Sequence, residues 1–259
     1  MPVADLALLT EAARAAGRIA LDYWRRAPEA WDKPDGTGPV SEADLAVNAM
    51  LMADLRGARP GYGWLSEESP DDAARLAAAR TFIIDPIDGT RAFIAGEPAF
   101  AHSLAVAEAG RIIAAVVHLP ALDRLYAAAA GGPALCNGAP IRAAATSAPD
   151  GASVLTARAN LAPEHWTGAA PPALRRLFRP SLAYRLCLVA EGAADAMLAL
   201  GPVWEWDLAA GDLIARRAGA HVTDRHGAPI RYNAPHPQSR GALAAAPALH
   251  GALIGRLRG

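Results

Sequence analysis

An apolar run that leads directly into an acidic loop constrains the fold of this chain more than any other feature of its sequence. Residues 81–84 (Thr-Phe-Ile-Ile) are followed at once by the loop Asp85-Pro86-Ile87-Asp88-Gly89-Thr90. A short apolar run bounded in this way predicts a buried strand. Pro86 has a fixed φ angle and biases the preceding Asp85 toward an extended backbone. The sequence therefore predicts a core strand that carries carboxylates at its carboxyl end.

The acidic loop, residues 85–90, offers oxygen ligands of the hard type. Its two carboxylates, the Ile87 carbonyl and the Thr90 hydroxyl converge, and Gly89 lets a ligand approach the backbone closely. Such ligands suit Mg²⁺ or Mn²⁺ better than zinc or copper. The spacing of the acids fits neither an EF-hand nor an aspartyl-nucleophile phosphatase, and the chain has no Walker or Gly-x-Gly-x-x-Gly motif. A structural turn with solvated acids is the alternative for the loop alone.

Strand patterns and helical patterns alternate along the chain, which predicts an α/β (α+β) fold. Apolar runs on either side of Ala109-Gly110 predict a β-hairpin. A change of composition at residues 141–149 predicts a seam between two lobes. Helices are predicted at residues 5–24, 42–56, 71–80, 181–191 and 207–219. Strands are predicted at residues 61–65, 81–84, 100–108, 111–119, 122–129, 153–157, 194–200 and 221–223.

The charge balance narrows the range of partners. The net charge is −1, so we expect neither a nucleic-acid polymer nor an anionic membrane as partner. Charges at Asp5, Glu11 and Arg14 interrupt the first helical pattern, so we expect no signal peptide and no membrane insertion. The two cysteines favour neither a disulfide framework nor a zinc cluster. A cytoplasmic location is the default expectation.

Three further acidic segments lie far from the loop in the sequence. They are Glu67-Glu68, Asp207 in the segment Trp206-Asp207-Leu208-Ala209-Ala210-Gly211, and Asp44 in the segment Val40-Ser41-Glu42-Ala43-Asp44. Ser41 is predicted to cap a helix, and the small residues after Asp207 predict close packing of a second helix. A capping role is the simpler alternative for both Asp44 and Asp207.

Together with the acidic loop, these segments resemble the signature motifs of the inositol monophosphatase superfamily, and the resemblance runs from about Ala4 to the C-terminus. It implies a layered αβαβα sandwich with two sheets. Residues 1–143 would form an N-terminal lobe with the metal-binding loop and an antiparallel sheet. Residues 144–259 would form a C-terminal α/β lobe with Asp207 and the substrate-facing residues. Members of the superfamily include inositol monophosphatases, 3'(2'),5'-bisphosphate nucleotidases and some histidinol and fructose phosphatases, and a homodimer is an open expectation.

The resemblance also implies a ligand set for two or three magnesium ions, with manganese as a substitute. Glu67, Asp85 and the Ile87 carbonyl would hold the first ion. Asp85, Asp88 and Asp207 would hold the second, and Glu67 would help to hold a weaker third. Lithium inhibition is expected for such an enzyme.

Catalytic and phosphate-binding roles follow from the same resemblance. Asp44 and Thr90, with Glu67, would position and activate a water for in-line attack on phosphorus. The backbone amides of Gly89 and Thr90 would contact the phosphate. Lys33, the only lysine among the 25 basic residues, lies ahead of Asp44 where relatives often carry a lysine, and it is predicted to face the substrate.

The substrate is indicated less directly. Inositol monophosphatases usually carry a Glu shortly before the Trp-Asp segment, and residues 198–202 contain no acid. The segments Asp88–Ile94 and Gly201-Pro202 resemble segments of the bisphosphate nucleotidases. By this resemblance, Arg185 of the present chain would hold the second phosphate of adenosine 3',5'-bisphosphate. Ala92 departs from that motif, and Trp204-Glu205 has no counterpart in it.

Several alternatives stay open. The phosphate ester is alternatively an inositol 1-phosphate, another sugar phosphate or histidinol phosphate, and Arg185 is alternatively a helix-surface arginine. A non-catalytic metal or anion sensor with the same fold is an alternative of another class. Arg175, Arg176 and Arg179 are predicted to form a solvated face. The seven histidines show no metal-like spacing and are predicted to be structural or surface residues.

Overall fold

Two β-sheets of unequal size organise the chain. The computed structural model describes residues 2–34, 36 and 38–258, apart from the side chain of residue 169. The α-helices in these residues are α1 Pro2–Tyr23, α2 Glu42–Ala58, α3 Thr90–Ile94, α4 Leu182–Ala190, α5 Glu205–Arg217 and α6 Pro247–Ile254. The strands are β1 Ala30–Asp32, β2 Pro39–Ser41, β3 Gly63–Ser66, β4 Arg80–Asp88, β5 Ala101–Glu108, β6 Arg111–Leu119, β7 Arg124–Ala129, β8 Ala134–Cys136, β9 Ala139–Pro140, β10 Ser153–Thr156, β11 Arg175–Leu177, β12 Ala196–Ala199, β13 Val203–Trp204, β14 His221–Thr223, β15 Gln238–Ser239 and β16 Ala242–Ala245.

The larger sheet has seven strands in the order β3-β4-β5-β6-β7-β8-β9. Only the β3–β4 pair is parallel among them. The predicted hairpin is confirmed: β5 and β6 pair antiparallel and are joined by Ala109 (φ 49°) and Gly110 (φ 74°). Two consecutive residues with positive φ give the turn whose twist matches the flanking strands. The central strand β4 is buried from Thr81 onward, as the apolar run predicts.

The smaller sheet has five strands in the order β11-β10-β12-β16-β14. β10 is parallel to both β11 and β12, whereas β16 is antiparallel to β12 and β14. Two short ribbons, β1-β2 and β13-β15, lie outside the sheets. β13 leads directly into α5, so the second ribbon fixes where that helix begins.

Helices fill the space between the sheets and cover their outer faces. α1 and α2 pack on the outer face of the seven-stranded sheet, and α6 packs on the outer face of the five-stranded sheet. α4 and α5 contact both sheets and each other. The expected αβαβα sandwich is confirmed. The small residues of α5 allow this contact, since a Cβ at Gly211 would lie 2.6 Å from the Leu186 side chain of α4.

The segment before β4 differs from the prediction. Residues 71–80, predicted as an α-helix, contain only a 3-10 helix at Ala73–Ala77. Arg75 is buried in this segment, and its guanidinium donates a hydrogen bond to Asn233 Oδ1 at 2.7 Å. The backbone is already extended at Ala78 (φ −74°, ψ 138°), because the chain must enter β4. The long-range anchor and the approaching strand therefore override the local helical pattern.

The helix that carries Asp207 begins earlier than predicted. α5 starts at Glu205 with Trp204 at its N-cap, so Asp207 lies in the first turn and is not the capping residue. The buried Glu205 carboxylate accepts hydrogen bonds from the backbone N–H of Asn233 (2.6 Å) and of Ala234 (3.0 Å). Burial raises the pKa of Glu205 to about 7, although these two hydrogen bonds act to lower it. This buried contact, which is not visible in the sequence, acts together with the β13-β15 ribbon to set the start of the helix.

None of the helices in the described residues has both the length and the apolar composition that crossing a bilayer requires. The two sheets occupy residues 63–140 and 153–245, on either side of the segment in which the seam is predicted. The division into lobes at residues 143 and 144 stays a prediction.

Candidate metal centre and active site

The acidic loop is part of a strand. β4 runs through the loop as far as Asp88, and its register against β5 shifts between Asp85 and Asp88. This irregularity is a β-bulge, a device that turns side chains and carbonyls away from the regular ladder. Gly89 follows with φ 98° and begins α3, and a Cβ there would lie 3.4 Å from the Ala99 carbonyl. A bulge and a left-handed glycine thus give the loop its shape.

Three carboxylates from separate elements converge at this loop. Glu67, Asp85 and Asp207 each offer an oxygen, and these oxygens lie within 4.8 Å of one another. We call these three residues the acid cluster. Asp85 Oδ1 is buried and has no hydrogen-bond partner among the described residues. A buried, unpaired carboxylate oxygen is costly without a cation, so the cluster fits a divalent ion that prefers hard oxygen ligands.

Asp88 connects the loop to α4. Its Oδ2 accepts hydrogen bonds from Ser181 Oγ at 2.6 Å and from the backbone N–H of Ala183 at 2.7 Å. Ser181 is the N-cap of α4 and also accepts a bond from the Tyr184 N–H. Asp88 therefore lines the same cavity as the acid cluster while one of its oxygens holds the helix start.

Asp44 and Thr90 form a hydrogen-bonded pair. Thr90 Oγ1 lies 3.1 Å from both Asp44 Oδ1 and the Ile87 carbonyl oxygen. The other Asp44 oxygen accepts bonds from the Ser41 hydroxyl (2.5 Å) and backbone N–H (2.9 Å). Ser41 is the N-cap of α2, as predicted. Asp44 thus belongs to the cap of α2 and faces the loop at the same time, so a capping role and a role in the site are compatible.

Lys33 lies behind the acid cluster. Its Nζ is 2.7 Å from Glu67 Oε1 and 2.7 Å from Glu68 Oε1. Burial works against the ammonium, but the two carboxylates raise the pKa of Lys33 above its usual value. The residue predicted to face the substrate therefore contacts the acid cluster through Glu67, and it is not part of the cavity wall.

Burial raises the pKa values of the site carboxylates. The pKa of Asp44 rises to about 6 against hydrogen bonds from Ser41. The pKa of Asp88 also rises to about 6, against the bonds at the start of α4. Burial and then neighbouring carboxylates hold the pKa values of Asp85 and Asp207 well above their usual range. A carboxylate cluster of this kind binds protons or a cation, so metal binding replaces protons near neutral pH.

A cavity of about 760 Å³ opens beside the acid cluster. The predicted site residues in its wall are Glu67, Asp85, Ile87, Asp88, Gly89, Thr90, Arg185 and Asp207. Its volume is in the range of pockets for small ligands. Acids line its floor and arginines line its outer wall, an arrangement suited to a metal ion and an anionic ligand together.

The outer wall contains residues that the sequence reasoning missed. Phe178, Arg179 and Arg91 line the cavity with Arg185, whose guanidinium carbon lies 4.6 Å from the centre of the Phe178 ring. Arg185 Nε donates to the Arg179 carbonyl at 2.5 Å. Arg179 therefore differs from Arg175, which is exposed on β11 outside this wall. The sequence offered a basic cluster here but no signal that one member turns toward the site.

Comparisons with known proteins agree on one family. Residues 4–259 match the model of the inositol monophosphatase family. A 3'-phosphoadenosine 5'-phosphate phosphatase of Mycobacterium leprae (strain TN) is 37% identical over 245 residues, 88% of this chain and 84% of that protein. An inositol-1-monophosphatase of Rhizobium meliloti (strain 1021) is 36% identical over 203 residues, 73% of each chain. The solved structure of the extragenic suppressor protein suhB from Bartonella henselae has a TM-score of 0.83 and 28% identity, with 97% of each chain covered.

Proposed function

The chain belongs to the inositol monophosphatase family and is a phosphomonoesterase of small phosphate esters; from this premise we propose that it hydrolyses a 3'(2'),5'-bisphosphate nucleotide such as adenosine 3',5'-bisphosphate with the help of Mg²⁺. The observation that carries the proposal is the convergence of Glu67, Asp85 and Asp207 within 4.8 Å in a cavity that also contains Arg185. The acids account for a metal, and the arginine accounts for a second phosphate.

The proposed ligands are oxygen donors from both predicted lobes. Glu67, Asp85 and the Ile87 carbonyl would hold one Mg²⁺, and Asp85, Asp88 and Asp207 would hold another. A third, weaker ion would use Glu67, and Mn²⁺ is expected to substitute for Mg²⁺. The unpaired Asp85 Oδ1 supports this assignment. When bound, the metal offsets charge on the phosphate and makes a coordinated water more acidic.

Asp44 and Thr90 are proposed to take the proton of the attacking water. Thr90 Oγ1 is 3.1 Å from Asp44 Oδ1, so a proton lost to the hydroxyl passes on to the carboxylate. The raised pKa of Asp44, about 6, suits a general base that works near neutral pH. The water oxygen forms the new bond to phosphorus as the bond between phosphorus and the ester oxygen breaks. The leaving alkoxide takes a proton from solvent water, and Asp44 releases the proton it received to solvent, so the carboxylate is regenerated. Gly89 and Thr90 line the cavity where the phosphate must lie.

Arg185 is proposed to recognise the second phosphate. An arginine binds a phosphate through two parallel hydrogen bonds, which gives direction as well as energy. The Arg185 guanidinium is held by the carbonyls of Arg179 (2.5 Å) and Pro180 (3.3 Å), so its orientation is restricted before a ligand arrives. Burial lowers the pKa of Arg185 from its ordinary value, while Asp88 and Asp207 work against that shift. A second anion near this guanidinium would restore some of the lost solvation.

Inositol 1-phosphate is the second candidate substrate, favoured by the similarity to an inositol-1-monophosphatase. The segment at residues 198–202, Leu-Ala-Leu-Gly-Pro, contains no carboxylate for the hydroxyls of inositol. Sites that discriminate for hydroxyl groups need such polar partners. The bisphosphate nucleotide is therefore the better-supported proposal.

A substrate panel tests the proposal. Phosphate release is measured with and without Mg²⁺ for adenosine 3',5'-bisphosphate, inositol 1-phosphate, fructose 1,6-bisphosphate and histidinol phosphate. We expect the nucleotide to have the highest kcat/KM. A tenfold preference for inositol 1-phosphate, about 1.4 kcal/mol in transition-state binding, would contradict the substrate proposal. Mg²⁺ binding without turnover of any ester would favour a metal or anion sensor.

A further inference from the structure

The bulge in β4 leaves two backbone carbonyls outside the regular ladder. Pro86 and Ile87 of β4 face the single β5 residue His102, because the register shifts at this point. Proline has no N–H to donate, so the ladder cannot be completed there. Buried backbone carbonyls nevertheless need hydrogen-bond donors, which here must come from side chains.

Two different side chains lie within hydrogen-bond distance of these carbonyls. His102 Nδ1 lies 2.5 Å from the Pro86 carbonyl oxygen. Thr90 Oγ1 lies 3.1 Å from the Ile87 carbonyl oxygen. The two adjacent carbonyls therefore have different partners. The Pro86 carbonyl faces His102, which is buried in β5, and the Ile87 carbonyl faces Thr90 in the wall of the cavity. Because a peptide unit is planar, a fixed Pro86 carbonyl also fixes the Ile87 N–H. Only the two backbone torsions of Ile87 then remain to set the direction of the Ile87 carbonyl.

The cost of placing a histidine here indicates that its bond to the loop matters. His102 is completely buried, and its Nε2 has no hydrogen-bond partner in the described part of the chain. A carbonyl only accepts, so Nδ1 must carry the proton. An aliphatic side chain would fill the same space without a buried, unpaired nitrogen. Core packing alone therefore explains this residue poorly.

We propose that His102 is a positioning residue for the metal loop: its bond to the Pro86 carbonyl orients the neighbouring Ile87 carbonyl toward the acid cluster. This inference rests on the proposed function, in which that carbonyl is a metal ligand. His102 itself touches neither metal nor substrate. Groups that orient metal ligands in this way typically change metal affinity about 10–100-fold.

Two amide substitutions separate the bond from the volume of the side chain. In His102→Asn the amide nitrogen is attached to Cγ, as Nδ1 is, and can reach the Pro86 carbonyl. In His102→Gln the amide is one methylene further from the backbone and cannot take the same position. Metal-free protein is titrated with Mn²⁺ by isothermal calorimetry, and thermal unfolding without metal is measured for each variant. We expect His102→Asn to bind Mn²⁺ within about threefold of wild type and His102→Gln to bind at least about tenfold more weakly.

His118→Gln is the matched control. Its Nδ1 lies 2.9 Å from the Ala13 carbonyl oxygen in α1 and makes no bond to the loop. Its ring lies beside that of His102, with 5.9 Å between the centroids, so the control also matches the local packing. The control removes a comparable bond from the same sheet, so it is expected to lower thermal stability while the Mn²⁺ affinity stays unchanged. An equal loss of Mn²⁺ affinity in both Gln variants would mean a general weakening of the sheet and would overturn the proposal.

Three further results of these titrations would each test the positioning role of His102 or the proposed function. Equal Mn²⁺ affinity of wild type and His102→Gln refutes the positioning role. If His102→Gln does not fold, His102→Asn still decides, because a tenfold loss with the donor retained contradicts the proposal. A wild-type protein that binds no Mn²⁺ refutes the proposed function itself, which is a different result from equal binding by all variants.

Discussion

The carboxylates of Asp85 and Asp207 approach each other to within 4.8 Å, although one belongs to the seven-stranded sheet and the other to the first turn of α5. Two carboxylates at this distance, of which Asp85 is buried and Asp207 partly buried, repel each other unless protons or a cation intervene. The fold holds them there through the packing of α5 on the sheet and through the bond from Ser103 Oγ to the Trp206 carbonyl (2.8 Å).

Asp207→Asn is expected to lower kcat at least about a thousandfold, roughly 4 kcal/mol, with the fold retained. The substitution removes a charged ligand oxygen but keeps the size of the side chain. Phosphate release and thermal unfolding are measured on the same preparations. Asp22→Asn, on the exposed face of α1, is the control and should match wild type. Near-normal turnover of Asp207→Asn would exclude a metal-binding role for this residue.

Thr90→Val is expected to reduce kcat about 10²–10⁴-fold, the range for loss of a proton-transfer partner. Valine keeps the shape of threonine but removes the hydroxyl that links Asp44 to the loop. Thr90→Ser retains that hydroxyl and serves as the control, with kcat within about tenfold of wild type. Equal kcat values for the two variants would show that the hydroxyl does not transfer the proton.

Metal-free Asp85→Asn is expected to be more stable than metal-free wild type at pH 8, with a difference that shrinks toward pH 4. Burial raises the pKa of Asp85 in the folded state well above 3.8, its value in a model peptide. A carboxyl group whose pKa is higher in the folded than in the unfolded state stabilises the fold while it is protonated. That stabilisation is complete below the pKa of the unfolded state and is lost as the pH rises through the pKa of the folded state. Asparagine does not ionise and avoids that loss. Thermal unfolding in chelator across this pH range measures it, and a pH-independent difference would contradict the explanation.

Arg185→Met is expected to raise KM for adenosine 3',5'-bisphosphate at least about tenfold and to affect adenosine 5'-monophosphate much less. Methionine keeps the length of the side chain but cannot hold a second phosphate. Arg175→Met, at an exposed position on β11, controls for the loss of one positive charge. An equal change in KM for both nucleotides would assign Arg185 to the reacting phosphate or to general attraction of anions.

Local patterns predicted the parts of the fold that local forces control. The hairpin at Ala109-Gly110, the N-cap at Ser41 and the buried strand before Asp85 all depend on neighbouring residues. The helix predicted at residues 71–80 failed because Arg75 is held by a residue distant in sequence. Such an anchor leaves no periodic signal.

The meeting of distant acids could be expected only from the resemblance to a family. Nothing in the sequence around Asp88 indicates that Ser181 and the start of α4 bind to it. Nothing distinguishes Arg179 from Arg175 until the chain turns at Pro180 into the cavity wall. These contacts depend on how the two sheets pack around α4 and α5, which spacing along the chain does not reveal.

Anomalous diffraction from crystals grown with Mn²⁺ tests the central claim most directly. We expect a peak within about 2.5 Å of carboxylate oxygens of both Asp85 and Asp207, with no such peak in Asp207→Asn crystals. A strong peak elsewhere in wild-type protein, with none at the acid cluster under saturating Mn²⁺, would contradict it.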